Sequence, residues 1–212
     1  MNISTIRAIT QGASVVSLVV CFGTAGKPVI AQQASSPIWQ QVHDTGVFER
    51  IVVTAYHPLQ VADLVARADL IVEASTRGGR SYLNAAGTDI YTDYTFNVHS
   101  LLKSRRRPEL RAGAAMTVRR ESGEVIVEGR PAVSYENEFP AFNANEHYIL
   151  FLTQQPHENV YSVFGGPQGA FSVGELVTAL AVPTKDGASA PEPVSRAAFM
   201  DEVRALLKFS LN

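Results

Sequence analysis

The chain has 212 residues, 46% hydrophobic and 18% charged, a composition that fits one folded domain with appendages and excludes a wholly disordered chain. Its 18 basic and 20 acidic residues leave a net charge of -2, without the basic excess of a nucleic-acid binder. The one cysteine, Cys21, excludes an intrachain disulfide framework.

Residues 1–31 follow the order of a secretory signal: Arg7 as the early charge, an apolar run over 13–22 and small residues toward the exit. Cleavage is expected after Val29-Ile30-Ala31, making Gln32 the new N-terminus. Losing Arg7 and Lys27 leaves 16 basic against 20 acidic residues. The apolar run falls short of the ~20 residues that a spanning helix needs. No later stretch is long and apolar enough, so no transmembrane segment is expected in the mature chain. Cys21 follows Val20, where a lipoprotein signal places a small residue, and reads as part of the discarded signal. The mature chain then has no thiolate nucleophile or ligand, and export to a periplasm or beyond the cell is the expected location.

Residues 32–41 read as a loose segment around Trp39, and Ile51-Val52-Val53 predict a short strand. Pro58 opens a short helix over 59–68, with Leu59, Ala62, Leu64 and Val65 near one face. Leu70-Ile71-Val72 begins a strand running into Thr76, with Gly78-Gly79 and residues 84–87 as turn signals. The clearest pattern follows. Ile90, Thr92, Tyr94, Phe96 and Val98 alternate with Asp89, Tyr91, Asp93, Thr95, Asn97 and His99, which predicts a long half-buried strand.

Residues 114–119 and 125–128 predict two strands joined by a hairpin turn at Glu121-Ser122-Gly123, and residues 131–145 read as irregular. Tyr148-Ile149-Leu150-Phe151-Leu152 is apolar on both faces, the mark of a central strand or a barrel closure. Residues 160–164 can pair with it, ahead of a glycine-rich loop over 165–169 and a strand at 171–173. Ser195 can cap a last helix with Phe199, Val203, Leu206 and Leu207 on one face, and Val194 is placed to staple Phe199.

These elements predict a mainly β protein: a small antiparallel OB-like β-barrel with a short helix before it and a C-terminal helix. A two-sheet β-sandwich is the alternative. The expected division is a signal at 1–31, a barrel domain with an N-terminal extension at 32–182, a Pro/Ala/Gly/Ser-rich linker at 183–194 and a helix at 195–212.

Four segments carry a resemblance: Ala68-Asp69-Leu70-Ile71-Val72-Glu73, Tyr91-Thr92-Asp93-Tyr94-Thr95-Phe96-Asn97-Val98, Glu146-His147-Tyr148-Ile149-Leu150-Phe151-Leu152 and Gly166-Pro167-Gln168-Gly169-Ala170-Phe171. They resemble secreted bacterial proteins of uncharacterised function, and their arrangement resembles the OB-type barrel of netrin and metalloproteinase-inhibitor domains. The resemblance spans roughly residues 59–173 and implies a fold. The eukaryotic inhibitors work through an N-terminal cysteine and disulfides, which this mature chain lacks, so their mechanism does not carry over.

No catalytic pattern stands out. His43, His57, His99, His147 and His157 are scattered without a zinc-protease spacing, so no metal is expected. Asp89 and Asp93 share a strand face about 13 Å apart, beyond the roughly 5–9.5 Å of a glycosidase carboxyl pair. The loop at 165–169 lacks the Gly-Lys-Ser/Thr ending of a phosphate cradle and reads as a place where side chains would collide. No Gly-x-Ser-x-Gly elbow occurs, and no cofactor is expected. The most concentrated charge is Lys103, Arg105, Arg106, Arg107 and Arg111, to which Arg119 and Arg120 can be added. Arginine suits bidentate contact with phosphate or carboxylate. Arg105, Arg106, Arg107 and Arg111 are therefore the candidate ligand contacts. The expected function is an exported, non-enzymatic binding or interaction module, whose partner is an anionic envelope component or another exported protein. A cell-envelope hydrolase using His99 or His147, and a structural accessory tethered through its last helix, are the alternatives.

Overall fold

The computed structural model describes residues 36–53, 58–105, 110–136, 138–155, 158–180 and 192–209. The expected signal at 1–31, most of the linker, Arg106, Arg107, His57 and His157 lie outside them. In chain order the elements are α1 (Ile38–Thr45), β1 (Phe48–Val52), α2 (Val61–Arg67), β2 (Leu70–Leu83), β3 (Ile90–Ser104), β4 (Ala115–Arg120) and β5 (Gly123–Val127). They continue with β6 (Arg130–Glu136), β7 (His147–Gln154), β8 (Tyr161–Val163), a 3-10 turn at Gly166–Gly169, β9 (Ala170–Val173), β10 (Leu176–Ala179), β11 (Val194–Ser195) and α3 (Arg196–Phe209).

Five strands close into an OB-like barrel in the order β2-β3-β4-β8-β7 and back to β2. The chain is mainly β, as its patterning predicts, with the short helix α2 directly ahead of the barrel strands, α1 before that, and α3 at the C-terminus. One seam departs from the antiparallel expectation: β4 and β8 run parallel, joined by the single register pair Val118↔Tyr161. Strand β7 reaches both neighbours because its free edge is shared. Tyr148, Ile149 and Leu150 pair with β9, while Leu152, Thr153 and Gln154 pair with β8.

The alternation along β3 sorts its residues as read. Ile90, Thr92, Tyr94, Phe96 and Val98 are buried and the intervening side chains are partly or fully exposed. The barrel interior holds Leu70, Val72, Ala74, Tyr94, Phe96, Val98, Met116, Val118, Tyr148, Leu150 and Leu152. Phe142 sits edge-on to Tyr94, Phe96 and Tyr148 at centroid distances of 5.1, 5.3 and 5.0 Å, so the chain ahead of β7 plugs the barrel with aromatic rings.

β7 is apolar on both sides because it serves two cores. Ile149 and Phe151 point away from the barrel interior and pack with Ile71, Leu64, Val65, Phe171, Phe199, Met200 and Val203. Helices α2 and α3 supply the cover. The Asp63 carboxylate accepts the Gln60 N–H at the start of α2, and the Ser195 hydroxyl accepts the Ala198 N–H at the start of α3. The cap expected at Ser195 and the inward Phe199 and Val203 are both present.

Four local expectations are corrected. Gly78-Gly79 is no turn: β2 runs on to Leu83 through a bulge, with a register shift between Thr76 and Gly78. Gly78 adopts φ +111°, and a Cβ on Gly79 would lie 2.7 Å from Thr92 Cγ2, so these glycines let two strands approach closely. The supposed hairpin at Glu121-Ser122-Gly123 joins different sheets, because β5 pairs with β6 and not with β4. Residues 130–136 form β6 where irregular chain was expected; Pro131 masks the pattern, yet β6 is central in a second sheet ordered β1-β6-β5. Residues 38–45 are helical, with Ile38 and Val42 one turn apart and fully buried against Phe48, Ile90, Val127 and Ala132.

Candidate functional site

The basic run is divided by the fold between structural and exposed roles. Lys103 turns back to α2, where its ammonium donates to the Val65 and Ala66 carbonyls at 2.5 and 3.2 Å. Burial and the neighbouring Arg105 push Lys103 down to about 8. Arg119 is held by Asp93 at 2.8 Å and by Glu158, and lies beside the rings of Tyr82 and Tyr91. Burial and the hydrogen bond to Asp93 push the Tyr82 hydroxyl up to about 12. Arg120 is buried: it pairs with Glu136, donates to the Phe139 and Pro140 carbonyls and stacks 3.6 Å from the Phe139 centroid. Arg119 and Arg120 therefore do not join the ligand-facing set. Arg105 and Arg111 do remain exposed, on the connection from β3 to β4. The Arg105 backbone N–H anchors this connection to the Asp69 carbonyl at 2.9 Å, and Gly113 N–H donates to Val98 O at 2.8 Å.

Between that connection and the β8 seam lies a cleft of about 120 Å³, lined by Thr95, Leu110, Ala115, Met116, Thr117, Asn159 and Tyr161. Its cause is the thin seam. Because β4 and β8 share only Val118↔Tyr161, the surface beside that pair is left open. Thr95 and Thr117 face each other across β3 and β4, and the next pair along is Asp93 with Arg119. No lining residue is charged, and Leu110, which immediately precedes Arg111, forms one wall. The cleft can offer the hydroxyls of Thr95 and Thr117 over a small apolar patch, and Arg111 follows its wall residue Leu110 in sequence.

Asp89, just before β3, also has a structural role. Burial alone would raise the Asp89 carboxyl, but hydrogen bonds from Arg50, Thr88 and Asn84 outweigh it and hold the group below the usual carboxylate range. Burial pushes the nearby Glu121 carboxyl up.

A second polar cluster crosses β3, β2 and β7 on the face toward α3. His99 Nε2 lies 2.8 Å from Ser75 Oγ, and His147 stacks on His99 with centroids 4.9 Å apart and an 8° interplanar angle. Two residues along β2, Glu73 is 5% exposed and accepts both a 2.8 and a 2.7 Å bond from Arg196 at the start of α3. The Arg196 bond holds the Glu73 carboxyl below its ordinary value despite burial. Ser75, Glu73 and Arg196 escaped the sequence analysis because Arg196 lies 123 positions beyond Glu73 in the chain. Thr95 was legible as outward-facing, but nothing local marked Thr117, Asn159 or Tyr161 as its neighbours.

Among the described residues, no group of three or more His, Cys, Asp or Glu side chains is placed to hold a metal ion, and no helix is long and apolar enough to cross a membrane. No family model matches the chain, and no curated protein matches it either.

Proposed function

We propose that this chain is an exported, non-enzymatic binding module for an anionic component of the cell envelope, held over the β3–β4 cleft. The observation that carries the reading is an uncharged, hydroxyl-lined cleft directly followed in sequence by the exposed Arg111. Pockets that engulf a small molecule span roughly 300–1,000 Å³. A cleft of about 120 Å³ suits a group projecting from a larger ligand. OB-type barrels commonly bind ligands on this strand face and on the loop between their last two strands, here 155–160. Arg105, Arg106, Arg107 and Arg111 supply the anion contacts. The near-balanced charge does not favour nucleic acid.

The test is a calorimetric titration with a uronic-acid oligosaccharide and with vesicles containing an anionic phospholipid. Binding to one of them, weakened by raising salt to about 0.3 M, is expected. It should fall at least tenfold on filling the cleft with Thr117→Trp and on Arg105→Ser with Arg111→Ser. Binding unchanged by both variants, or absent for both probes, refutes the reading.

A cell-envelope hydrolase is the second reading, favoured by the contact of His99 with Ser75. A triad needs a carboxylate to orient the histidine, and the Glu73 carboxylate on that face is engaged by Arg196. Ester hydrolysis abolished by Ser75→Ala would establish it. An accessory role through the last helix has less support, because α3 buries Phe199, Met200 and Val203 on its own barrel.

A further inference from the structure

The outward face of β2, β3 and β4 continues beyond the cleft into a pair of tyrosines. Register sets Tyr82 opposite Tyr91, and Asp93 between Arg80 on β2 and Arg119 on β4. The next outward pair is Thr95 with Thr117, which line the cleft. Side chains two apart on a strand share a face, so tyrosines, charges and cleft form one strip. Both tyrosines are partly exposed, with ring centroids 6.3 Å apart and a 50° tilt. Hydrogen bonds fix the first ring: the Tyr82 hydroxyl donates to Asp93 Oδ2 at 3.1 Å, and the same carboxylate accepts two bonds from Arg119 at 2.8 and 3.1 Å.

The acids around the tyrosines are already matched. Arg119 engages Asp93 and Glu158, while Arg50 engages Asp89 and Glu121 at 2.8 and 3.6 Å. Arg80 differs. It is exposed, and among the described residues its side chain has no hydrogen bond or ion pair, because Asp93 opposite it is taken by Arg119 and Tyr82.

We propose that Tyr82, Tyr91 and Arg80 form a subsite for a uronate, the ring of an acidic sugar whose chain continues into the cleft. The inference rests on the anion-binding reading above and narrows its ligand to a glycan. The C–H face of a pyranose ring suits the electron-rich face of an aromatic ring. The planar guanidinium of Arg80 suits its carboxylate. An unpaired arginine among matched charges fits an isolated carboxylate. The dense negative charge of a nucleic-acid strand or an anionic lipid surface would meet Asp93, Glu158 and Glu121 as well.

Calorimetry of a uronic-acid oligosaccharide against its carboxyl-reduced, neutral counterpart tests the subsite. The acidic sugar should bind about tenfold more tightly. Arg80→Gln should remove that preference by weakening the acidic sugar alone. Tyr91→Ala should weaken both sugars about tenfold, and Tyr91→Phe should leave both unchanged. Arg80 is exposed, and circular dichroism checks that Tyr91→Ala folds. Magnetisation transfer from tyrosine ring protons to sugar C–H protons gives a reading that needs no variant. Equal binding of the two sugars, or no transfer, overturns the proposal. An acidic sugar whose binding responds to Thr117→Trp but not to Arg80→Gln or Tyr91→Ala refutes the subsite and leaves the cleft reading standing. So does binding of anionic vesicles alone, whereas binding of neither probe refutes both readings.

Discussion

Replacing Arg120 with leucine removes the strut between the end of β4 and the aromatic plug. The Arg120 side chain is 2% exposed and its partner Glu136 12%, so the substitution leaves a carboxylate in a nearly dry site. Breaking one side of a buried pair costs about 3–5 kcal/mol. The Phe139 and Pro140 carbonyls also lose a donor, while the leucine side chain recovers some apolar contact with Phe139. The net expectation is a loss of about 4 kcal/mol, near a Tm decrease of roughly 8–16 °C for a domain of this size. Urea unfolding followed by circular dichroism measures it. Adding Glu136→Leu should recover part of the loss, because the buried carboxylate is then removed along with its partner. A single variant within about 1 kcal/mol of the parent, or a double variant no more stable than the single one, would refute the assignment of Arg120 to the barrel's support. Anion binding by the double variant should match the parent, since Arg120 is absent from the exposed arginine set.

Glu73 makes acid sensitivity specific to α3. Its folded carboxyl is held below its ordinary value of 4.5, so the stability it contributes is present above that value and is lost as pH falls through the lower folded one. Melting curves of the parent and Glu73→Gln should differ most near neutral pH and converge in acid; a gap that stays constant with pH would contradict the Arg196 assignment. Gly169→Ala should destabilise by about 3 kcal/mol, because the added Cβ would lie 2.0 Å from the Phe164 carbonyl oxygen. Denaturant unfolding reads that loss, and a neutral outcome would show that the turn before β9 rearranges freely.

The amino-acid sequence by itself determined the strands whose faces see different surroundings. The period-two alternation at residues 90–99 dictated which side of β3 enters the barrel, and the doubly apolar 148–152 marked β7 as a strand with a core on either side. Local chemistry sufficed for the Ser195 cap and for the collision at Gly169, since both involve groups a few residues apart. Tertiary structure alone decided the pairings. β5 joins β6 and β1 because the chain leaves the barrel after Arg120, and no residue near Gly123 encodes which strand it will meet. The arginines show the same division. Their clustering in sequence was plain, but burial beside Glu136 and Asp93 made Arg119 and Arg120 structural and left Arg105 and Arg111 in solvent. The cleft and the Ser75–His99–His147 row are likewise products of distant segments meeting. Hydrophobic patterning sets which side of a strand is buried; the closure of the sheet sets which residues become neighbours.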